Sequence, residues 1–251
     1  MRGLEHTPDR TDTAMAWIRF SPSNQSFANQ PPTLATFRDG RREAELAAAV
    51  NDIGGNVRGV RGDVSKPDDL DRLFAQIKRE KGRLDVLFAN AGIAKYARFG
   101  DMTEELYDSI FDINLKGVLF TAQKALSLLP DGASIILNSS IVGSKGLSSN
   151  RVYSAKAVIR SCARAWTTDL KDRRIRVNAI SPGSIDTEGL NDLLASSEVG
   201  EQRKKMIQTV TTLGRLRTSD EIPKAVVFFA SDDSTYVTGI ELFVDGGFAQ
   251  V

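Results

Sequence analysis

The chain is poor in the residues on which several kinds of functional site depend. Its 251 residues include one cysteine, Cys162, and one histidine, His6. A lone cysteine excludes a disulfide framework, and a lone histidine so near the start of the chain argues against a His-based zinc site and a Ser-His-Asp triad. We therefore predict no metal site, and we predict that Cys162, which falls in a helical apolar pattern, is a small core residue.

Long apolar runs and an excess of charge are also absent. No segment approaches the ~20 apolar residues of a membrane span. The N-terminus has no apolar signal-peptide region, and its acidic residues argue against a transit peptide. The net charge is +1, which argues against a nucleic-acid partner. These absences predict a cytoplasmic protein with no membrane or nucleic-acid partner.

Glycine is missing from most of the first part of the chain. None occurs within residues 4–39, whereas four of the eight prolines lie within residues 1–32. Residues 14–20 have the composition of a short strand, but the polar residues and proline within 21–30 argue against a long helix. We predict an irregular leader over residues 1–33 and a folded domain over residues 34–251.

Strand and helix patterns alternate after the leader. Strand-like apolar segments occur at residues 34–37, 57–64, 84–89, 134–137, 175–180 and 240–244. Helical spacing of apolar residues occurs at 43–53, 68–81, 118–129, 153–172 and 220–230. This order predicts a single α/β domain with a Rossmann-like, doubly wound parallel sheet.

A hydroxyl, a phenol and an ammonium occur close together at Ser140, Tyr153 and Lys156. Ser140 follows a predicted strand, and Tyr153 and Lys156 lie one turn apart on a predicted helix. An ordinary tyrosine loses its proton near pH ~10, but a neighbouring ammonium and a donor hydroxyl favour the phenolate. The trio therefore suits proton transfer to or from an alcohol or carbonyl oxygen. We expect Ser139, beside Ser140, to take no part.

The order of these residues resembles the short-chain dehydrogenase/reductase family. There the catalytic serine is followed by two residues and a glycine, as Gly143 follows Ser140, and the tyrosine comes thirteen residues after the serine, as Tyr153 does. The family lysine comes four residues after the tyrosine, whereas Lys156 comes three after it and Ala157 holds the family position. This change turns the side chain by about 100° around a helix, so we expect weakened geometry.

Two further segments resemble motifs of the same family. Asn90, Ala91 and Gly92 follow the apolar strand at 84–89. In the family this asparagine stabilises the centre of the sheet and the small residues let the cofactor approach, although such a tripeptide also forms plain turns. Asn114 matches the catalytic asparagine, which interrupts its helix and holds a water that links the lysine to solvent. The alternative is an ordinary polar helix residue.

A third segment resembles the family motif Pro-Gly-x-x-x-Thr. Pro182 and Gly183 follow a predicted strand, and Thr187 has the matching offset. The resemblance implies that the backbone at Ile185 and the hydroxyl of Thr187 bind the nicotinamide carboxamide. A plain Pro-Gly turn is the alternative.

Four residues are candidates for the adenosine end of a dinucleotide. Arg41 and Arg42 follow the second predicted strand, where the family uses arginine to bind the 2′-phosphate that distinguishes NADP from NAD. The alternative is a solvated, basic helix start. In the family, residues at the positions of Asp63 and Val64 contact adenine. The other possibility is that Asp63 makes a turn or caps the next helix.

The phosphate-binding turn of the family has no counterpart in this sequence. Family members begin with a strand, the motif Thr-Gly-x-x-x-Gly-x-Gly and a helix, and the glycines let backbone N–H groups reach the pyrophosphate. The glycine-free leader cannot form such a turn, and Gly54 and Gly55 follow a predicted helix instead of opening one. We therefore expect the first strand and helix unit to be atypical or missing, or residues 1–33 to reflect a shifted reading frame.

The resemblance implies an NADP-dependent oxidoreductase, with NAD as the less favoured cofactor, that acts on a small alcohol or carbonyl substrate. In this hypothesis Tyr153 is the general acid/base, Ser140 polarises the substrate oxygen, Lys156 holds the ribose and Asn114 completes the proton relay. The competing hypothesis is a catalytically impaired relative with weak or no dinucleotide binding, which acts as an oligomer partner or binding module. The C-terminal segment resembles a family interface and implies a homo-oligomer, either a dimer or a tetramer.

Overall fold

The computed structural model of the protein describes residues 16–20, 33–38, 46–47, 50–51, 57–93, 97, 99–146, 153–183, 198–218 and 220–250. The strands are β1 (Ala16–Phe20), β2 (Thr33–Arg38), β3 (Val57–Arg61), β4 (Val86–Ala89), β5 (Ser134–Asn138), β6 (Arg176–Pro182) and β7 (Glu241–Val244). They form one sheet in the order β3-β2-β1-β4-β5-β6-β7. Each strand expected after the leader is present within a few residues of its predicted bounds.

The strands run in one direction with the exception of β1. Strand β2 is parallel to β3, and β4, β5, β6 and β7 are parallel to one another. Strand β1 lies between β2 and β4 and is antiparallel to both, so that Ala16 faces Phe37 on one side and Ala89 on the other. The doubly wound parallel sheet is thus confirmed for six strands, and the first unit is atypical because its strand is reversed.

Six α-helices that accompany the sheet are described over their whole length, and residues 46–47 and 50–51 are also helical. The six helices are α1 (Pro67–Lys81), α2 (Glu104–Phe111), α3 (Val118–Ala125), α4 (Tyr153–Asp169), α5 (Glu198–Val210) and α6 (Glu221–Ala230). Helix α2 begins directly after Thr103, because the Thr103 hydroxyl accepts a hydrogen bond from the backbone N–H of Leu106 at 3.2 Å. None of these described helices has the length and apolar character that a membrane crossing requires.

Helix α3 is shorter than the predicted range of 118–129. It ends at Ala125, and a turn follows in which the N–H of Leu128 bonds to the carbonyl of Ala125 at 2.8 Å. Pro130 comes two residues later. A proline disfavours helical backbone only in the residue before it, here Leu129, so the local pattern does not account for the end of the helix at Ala125.

Helices cover both faces of the sheet, and strand β4 explains how its apolar sequence is used. Leu87 and Ala89 face a cluster that includes residues of α1, α3 and α4. Val86 and Phe88 face the other cluster, where Phe229 of α6 is fully buried. Successive side chains point to opposite faces of a strand, so a strand covered on both faces requires an unbroken apolar run. Cys162 packs against the first cluster, as predicted.

The carboxyl ends of β4, β5 and β6 lie side by side, and we call this border the carboxyl edge. These strands end at Ala89, Asn138 and Pro182. Because β1 is reversed, it presents its first residue, Ala16, at this edge, and the chain leaves β1 from the opposite edge. The carboxyl edge therefore collects the residues that follow three parallel strands but none that follow β1.

A pair of engineered cysteines tests the direction of β1. Ala16→Cys and Ala89→Cys occupy facing positions in the antiparallel register, where Cα atoms lie about 4.5–5.5 Å apart and a disulfide is possible. In a Cys162→Ala background we expect this pair to cross-link on mild oxidation, as measured by mass spectrometry of peptides. The control pair is Ala16→Cys with Val86→Cys, whose positions would face each other only if β1 were parallel, and preferential cross-linking of the control would contradict the observed topology.

Candidate active site

The loop after β4 lies where two other site residues meet. Asn90 Oδ1 accepts a hydrogen bond from Nδ2 of Asn138 at 2.7 Å, which ties the ends of β4 and β5 together. A Cβ atom added at Gly92 would lie 3.0 Å from Asn114 Oδ1 and 3.3 Å from Lys156 Nζ. Glycine at this position therefore leaves room for both side chains, and Ala91 before it is buried.

Asn114 lies in a π-helical turn, Asp112–Gly117, that separates α2 from α3. Its fully buried amide forms two hydrogen bonds with the backbone of Ile93: Oδ1 accepts from the N–H at 2.8 Å and Nδ2 donates to the carbonyl at 2.9 Å. The predicted interruption of the helix at Asn114 is present. Single π turns inside helices are frequent at functional sites.

Lys156 points into the protein at the carboxyl edge, whereas Ala157 is exposed. The ammonium donates a hydrogen bond to the backbone carbonyl of Asn138 at 2.6 Å, and the residue is only 6% exposed. Burial lowers the pKa of Lys156 from 10.5 to about 8. The structure thus brings Lys156, despite its altered spacing from Tyr153, beside Gly92 and Asn114.

Ser140 follows β5 and precedes a short 3₁₀ turn, Ile141–Gly143. It is half-buried, and its hydroxyl makes no capping bond to that turn. A Cβ atom at Gly143 would lie 3.1 Å from the backbone nitrogen of Ala157, so the glycine lets this turn contact α4. Tyr153 is the first residue of α4, but its side chain lies outside the described residues, and its contact with Ser140 and Lys156 stays a prediction.

The end of β6 closely approaches the end of β7. The N–H of Gly183 donates to the carbonyl of Val244 at 3.0 Å, and a Cβ atom on Gly183 would lie 2.6 Å from Cα of Asp245. Any residue larger than glycine at position 183 would therefore push the end of β6 away from the backbone of Asp245. Ile185 and Thr187, the predicted carboxamide ligands, lie outside the described residues.

Asp63 makes the turn that the sequence left open as one possibility. Its Oδ1 accepts hydrogen bonds from the N–H of Ser65 at 2.9 Å and from the hydroxyl of Ser65 at 2.6 Å. Val64 is buried against Gly117, within the π-helical turn that carries Asn114. Contact of Asp63 and Val64 with adenine stays a prediction. Arg41 and Arg42 lie outside the described residues.

Two residues of the site belong to no motif used above. Asn138 supplies the carbonyl that binds Lys156, and its own Oδ1 is buried with no hydrogen-bond partner among the described residues. Ser139 is 2% exposed, and its hydroxyl donates to the backbone carbonyl of Lys156 at 2.9 Å. The available sequence signal was a pair of polar residues directly after the apolar segment 135–137.

The sequence of this chain is similar to those of oxidoreductases. The family profile described as Enoyl-(Acyl carrier protein) reductase matches residues 25–249. Oxidoreductase asL5 of Sarocladium schorii is 43% identical over a match that covers 84% of each chain. Tetrahydroxynaphthalene reductase of Pyricularia oryzae is 31% identical, with 81% of this chain and 75% of that protein covered. The profile match begins inside the predicted leader, whose boundary at residue 33 stays a prediction.

Solved structures share the fold. A short-chain dehydrogenase/reductase of Brucella melitensis, titled glucose/ribitol dehydrogenase, superimposes with a TM-score of 0.73 at 28% identity over 82% of each chain. A blue fluorescent protein from a metagenomic library, solved in complex with NADPH, superimposes with a TM-score of 0.77 at 29% identity over 86% of this chain and 87% of that one. The chain belongs to the short-chain dehydrogenase/reductase family, whose cofactor is a nicotinamide dinucleotide.

The residues at the carboxyl edge fit the nicotinamide half of such a cofactor but not its pyrophosphate. The nicotinamide half fits, because the hydroxyl groups of its ribose match three groups at this edge. These groups are the buried ammonium of Lys156, the open backbone of Gly92 and Oδ1 of Asn138, which has no partner among the described residues. The pyrophosphate normally lies on a glycine turn after a parallel first strand. Here β1 presents Ala16 at this edge, and residues 4–39 have no glycine, so that cradle does not fit.

Replacement of Lys156 tests the effect of its burial on stability. Between pH 8 and 10.5 the folded protein releases a proton from Lys156 that the unfolded chain retains. The free energy of unfolding should therefore rise with pH across this window, by at most about 3 kcal/mol relative to a Lys156→Met variant. Urea denaturation at both ends of the window measures the difference. Equal pH dependence of the two proteins would show that the ammonium is not buried.

Proposed function

We propose that this protein is an NADP-dependent oxidoreductase that transfers hydride between nicotinamide and a small alcohol or carbonyl compound. The observation that carries this proposal is the ammonium of Lys156, buried at the carboxyl edge beside Gly92 and Asn114. Ligands of open α/β sheets bind beyond the carboxyl ends of the strands. Among the described residues this ammonium binds one backbone carbonyl, and an ammonium has three donors, so donors remain for a further partner within that part of the chain.

The catalytic roles follow from the chemistry of four side chains. When bound, nicotinamide supplies the hydride chemistry. Tyr153 exchanges a proton with the substrate oxygen as general acid/base, and Ser140 polarises that oxygen by a hydrogen bond. Lys156 holds the ribose and, as a neighbouring cation, lowers the pKa of the Tyr153 phenol. Asn114 completes the proton relay between Lys156 and solvent.

The binding roles divide between the two ends of the cofactor. The nicotinamide end is held by Asn90, Ala91, Gly92, Tyr153, Lys156, Pro182, Gly183, Ile185 and Thr187. The adenosine end is held by Arg41, Arg42, Asp63 and Val64. An arginine pair recognises a 2′-phosphate better than a hydroxyl, so NADP is preferred over NAD. The NADPH bound to the solved metagenomic relative supports this choice.

The reversed strand β1 favours a second candidate function. Without a glycine turn at the carboxyl edge, the pyrophosphate loses the backbone N–H groups that normally bind it. The chain would then be a catalytically impaired member of its family, with weak or no dinucleotide binding, that acts as an oligomer partner or binding module. Assembly into a homo-oligomer, either a dimer or a tetramer, is compatible with both candidates.

Thermal stability in the presence of cofactor separates the two candidates. A ligand that binds only the folded state adds RT ln(1 + [L]/Kd), or about 3 kcal/mol at a hundredfold excess over Kd. We expect NADPH to raise the Tm more than NADH does, and Arg41→Ala/Arg42→Ala to abolish that difference. Differential scanning fluorimetry measures both effects. No shift with either nucleotide at millimolar concentration would favour the impaired relative.

A tyrosine at position 152 tests the register of α4. Val152 lies four residues before Lys156, at the spacing that the family uses. If the altered spacing limits proton transfer, Val152→Tyr should raise NADPH-dependent reduction of small ketones and aldehydes by about tenfold or more, since general acid catalysis contributes on the order of 10²–10⁴. Absorbance of NADPH follows the reaction. Val152→Phe adds the same ring without the hydroxyl, and equal rates for both variants would refute the role of the register.

A further inference from the structure

The end of β5 contacts Lys156 at both its side chain and its backbone. The carbonyl of Asn138 accepts a hydrogen bond from Nζ of Lys156 at 2.6 Å. The hydroxyl of the next residue, Ser139, donates to the backbone carbonyl of Lys156 at 2.9 Å. Two consecutive residues of the sheet thus bind the two ends of one lysine.

Ser139 is itself held firmly by the sheet. Its N–H donates to the carbonyl of Ile180 at 2.8 Å, which extends the pairing of β5 with β6 by one residue. Its side chain is 2% exposed, so its hydroxyl has no access to bulk water as an alternative partner. The bond from Ser139 to α4 therefore joins a buried part of the sheet to the helix.

Lys156 lies near the start of α4, where a helix frays. It is the fourth residue of the helix, within the first turn, and the bond from Ser139 ties the carbonyl of this turn to the sheet. Gly143 contacts the same turn, since a Cβ atom there would lie 3.2 Å from the carbonyl carbon of Lys156. The position of this turn is therefore set from the side of β5.

We propose that Ser139 is a positioning residue whose hydroxyl fixes the first turn of α4 on β5 and so keeps the ammonium of Lys156 on the carbonyl of Asn138, beside Gly92. This inference deepens the function proposed above and rests on it for the role of Lys156. It replaces the expectation that Ser139 takes no part. Because the sheet holds Lys156, the shortened spacing from Tyr153 leaves the lysine at the carboxyl edge.

The pKa of Lys156 reports how deeply its ammonium is buried, because the groups around it are uncharged. The described groups that face it, on the loop after β4, on the π-helical turn and on β5, are the uncharged residues Gly92, Asn114, Asn138 and Ser139. Burial lowers the pKa of Lys156, and within the described chain no charged side chain contributes to that shift. Movement of the ammonium toward water would therefore raise its pKa toward the ordinary value.

Strand β5 offers a matched control for the loss of a buried hydroxyl. Ser134 is also 2% exposed, and its hydroxyl donates to a helix carbonyl, that of Phe229, at 2.8 Å. It lies at the opposite end of the strand from Asn138 and Ser139. Ser139→Ala and Ser134→Ala therefore remove equivalent hydrogen bonds, of which one reaches Lys156.

The test compares the titration of Lys156 in the cofactor-free wild type and in both alanine variants. NMR of protein labelled with ¹³C and ¹⁵N in lysine reads the Lys156 signal, which Lys156→Met assigns. We expect Ser139→Ala to raise the pKa of Lys156 by about half a unit or more and Ser134→Ala to leave it unchanged, while both variants lose thermal stability. Ser139→Thr, which retains the hydroxyl, should restore the wild-type titration.

An unchanged Lys156 titration in Ser139→Ala, or the same shift in Ser134→Ala, would overturn the positioning role. If Ser139→Ala does not fold, Ser139→Cys, with a weaker donor of similar size, takes its place under the same criteria. The measurement needs neither cofactor nor turnover. Failure of NADPH to bind would therefore count against the proposed oxidoreductase alone, and the titration would still decide the role of Ser139.

Discussion

The rest of the site depends on one hydrogen bond, from the ammonium of Lys156 to the carbonyl of Asn138. An ammonium leaves water at a large cost in free energy unless acceptors replace its hydration. Here a strand end supplies one acceptor, and Gly92 leaves space beside it. Within the described part of the chain, its other donors face the carboxyl edge without a partner. The same burial lowers the pKa of Lys156 to about 8, so that the side chain loses its proton at a lower pH than an ordinary lysine.

The direction of β1 divides the cofactor site into two unequal parts. The parallel strands β4, β5 and β6 deliver Gly92, Ser140 and Gly183 to the carboxyl edge, as in any doubly wound sheet. Strand β1 fills the central place but enters from that edge instead of ending there. Packing of the core requires only that this place be filled, whereas phosphate binding requires a particular direction. A reversed strand can therefore complete the fold without completing the site.

The short spacing between Tyr153 and Lys156 shows how tertiary contacts override local register. Taken from the helix alone, the missing residue could displace either side chain. Contacts from Asn138 and Ser139 hold Lys156, and Ala157, at the position expected from the family, faces outward. Lys156 therefore stays at the carboxyl edge, because its backbone carbonyl and its ammonium both bind residues at the end of β5.

The sequence by itself determined the alternation of strands and helices and the apolar run of β4, because periodicity and two-sided burial act over a few residues. The interruption of a helix at Asn114 was implied by the resemblance of its segment to a family motif. Only the tertiary structure decided the direction of β1, the end of α3 at Ala125 and the hydrogen bonds between the end of β5 and Lys156. Strand direction and such contacts depend on residues far apart in the chain, as with Ser139 and Lys156, and no local pattern records which carbonyl a buried ammonium will meet.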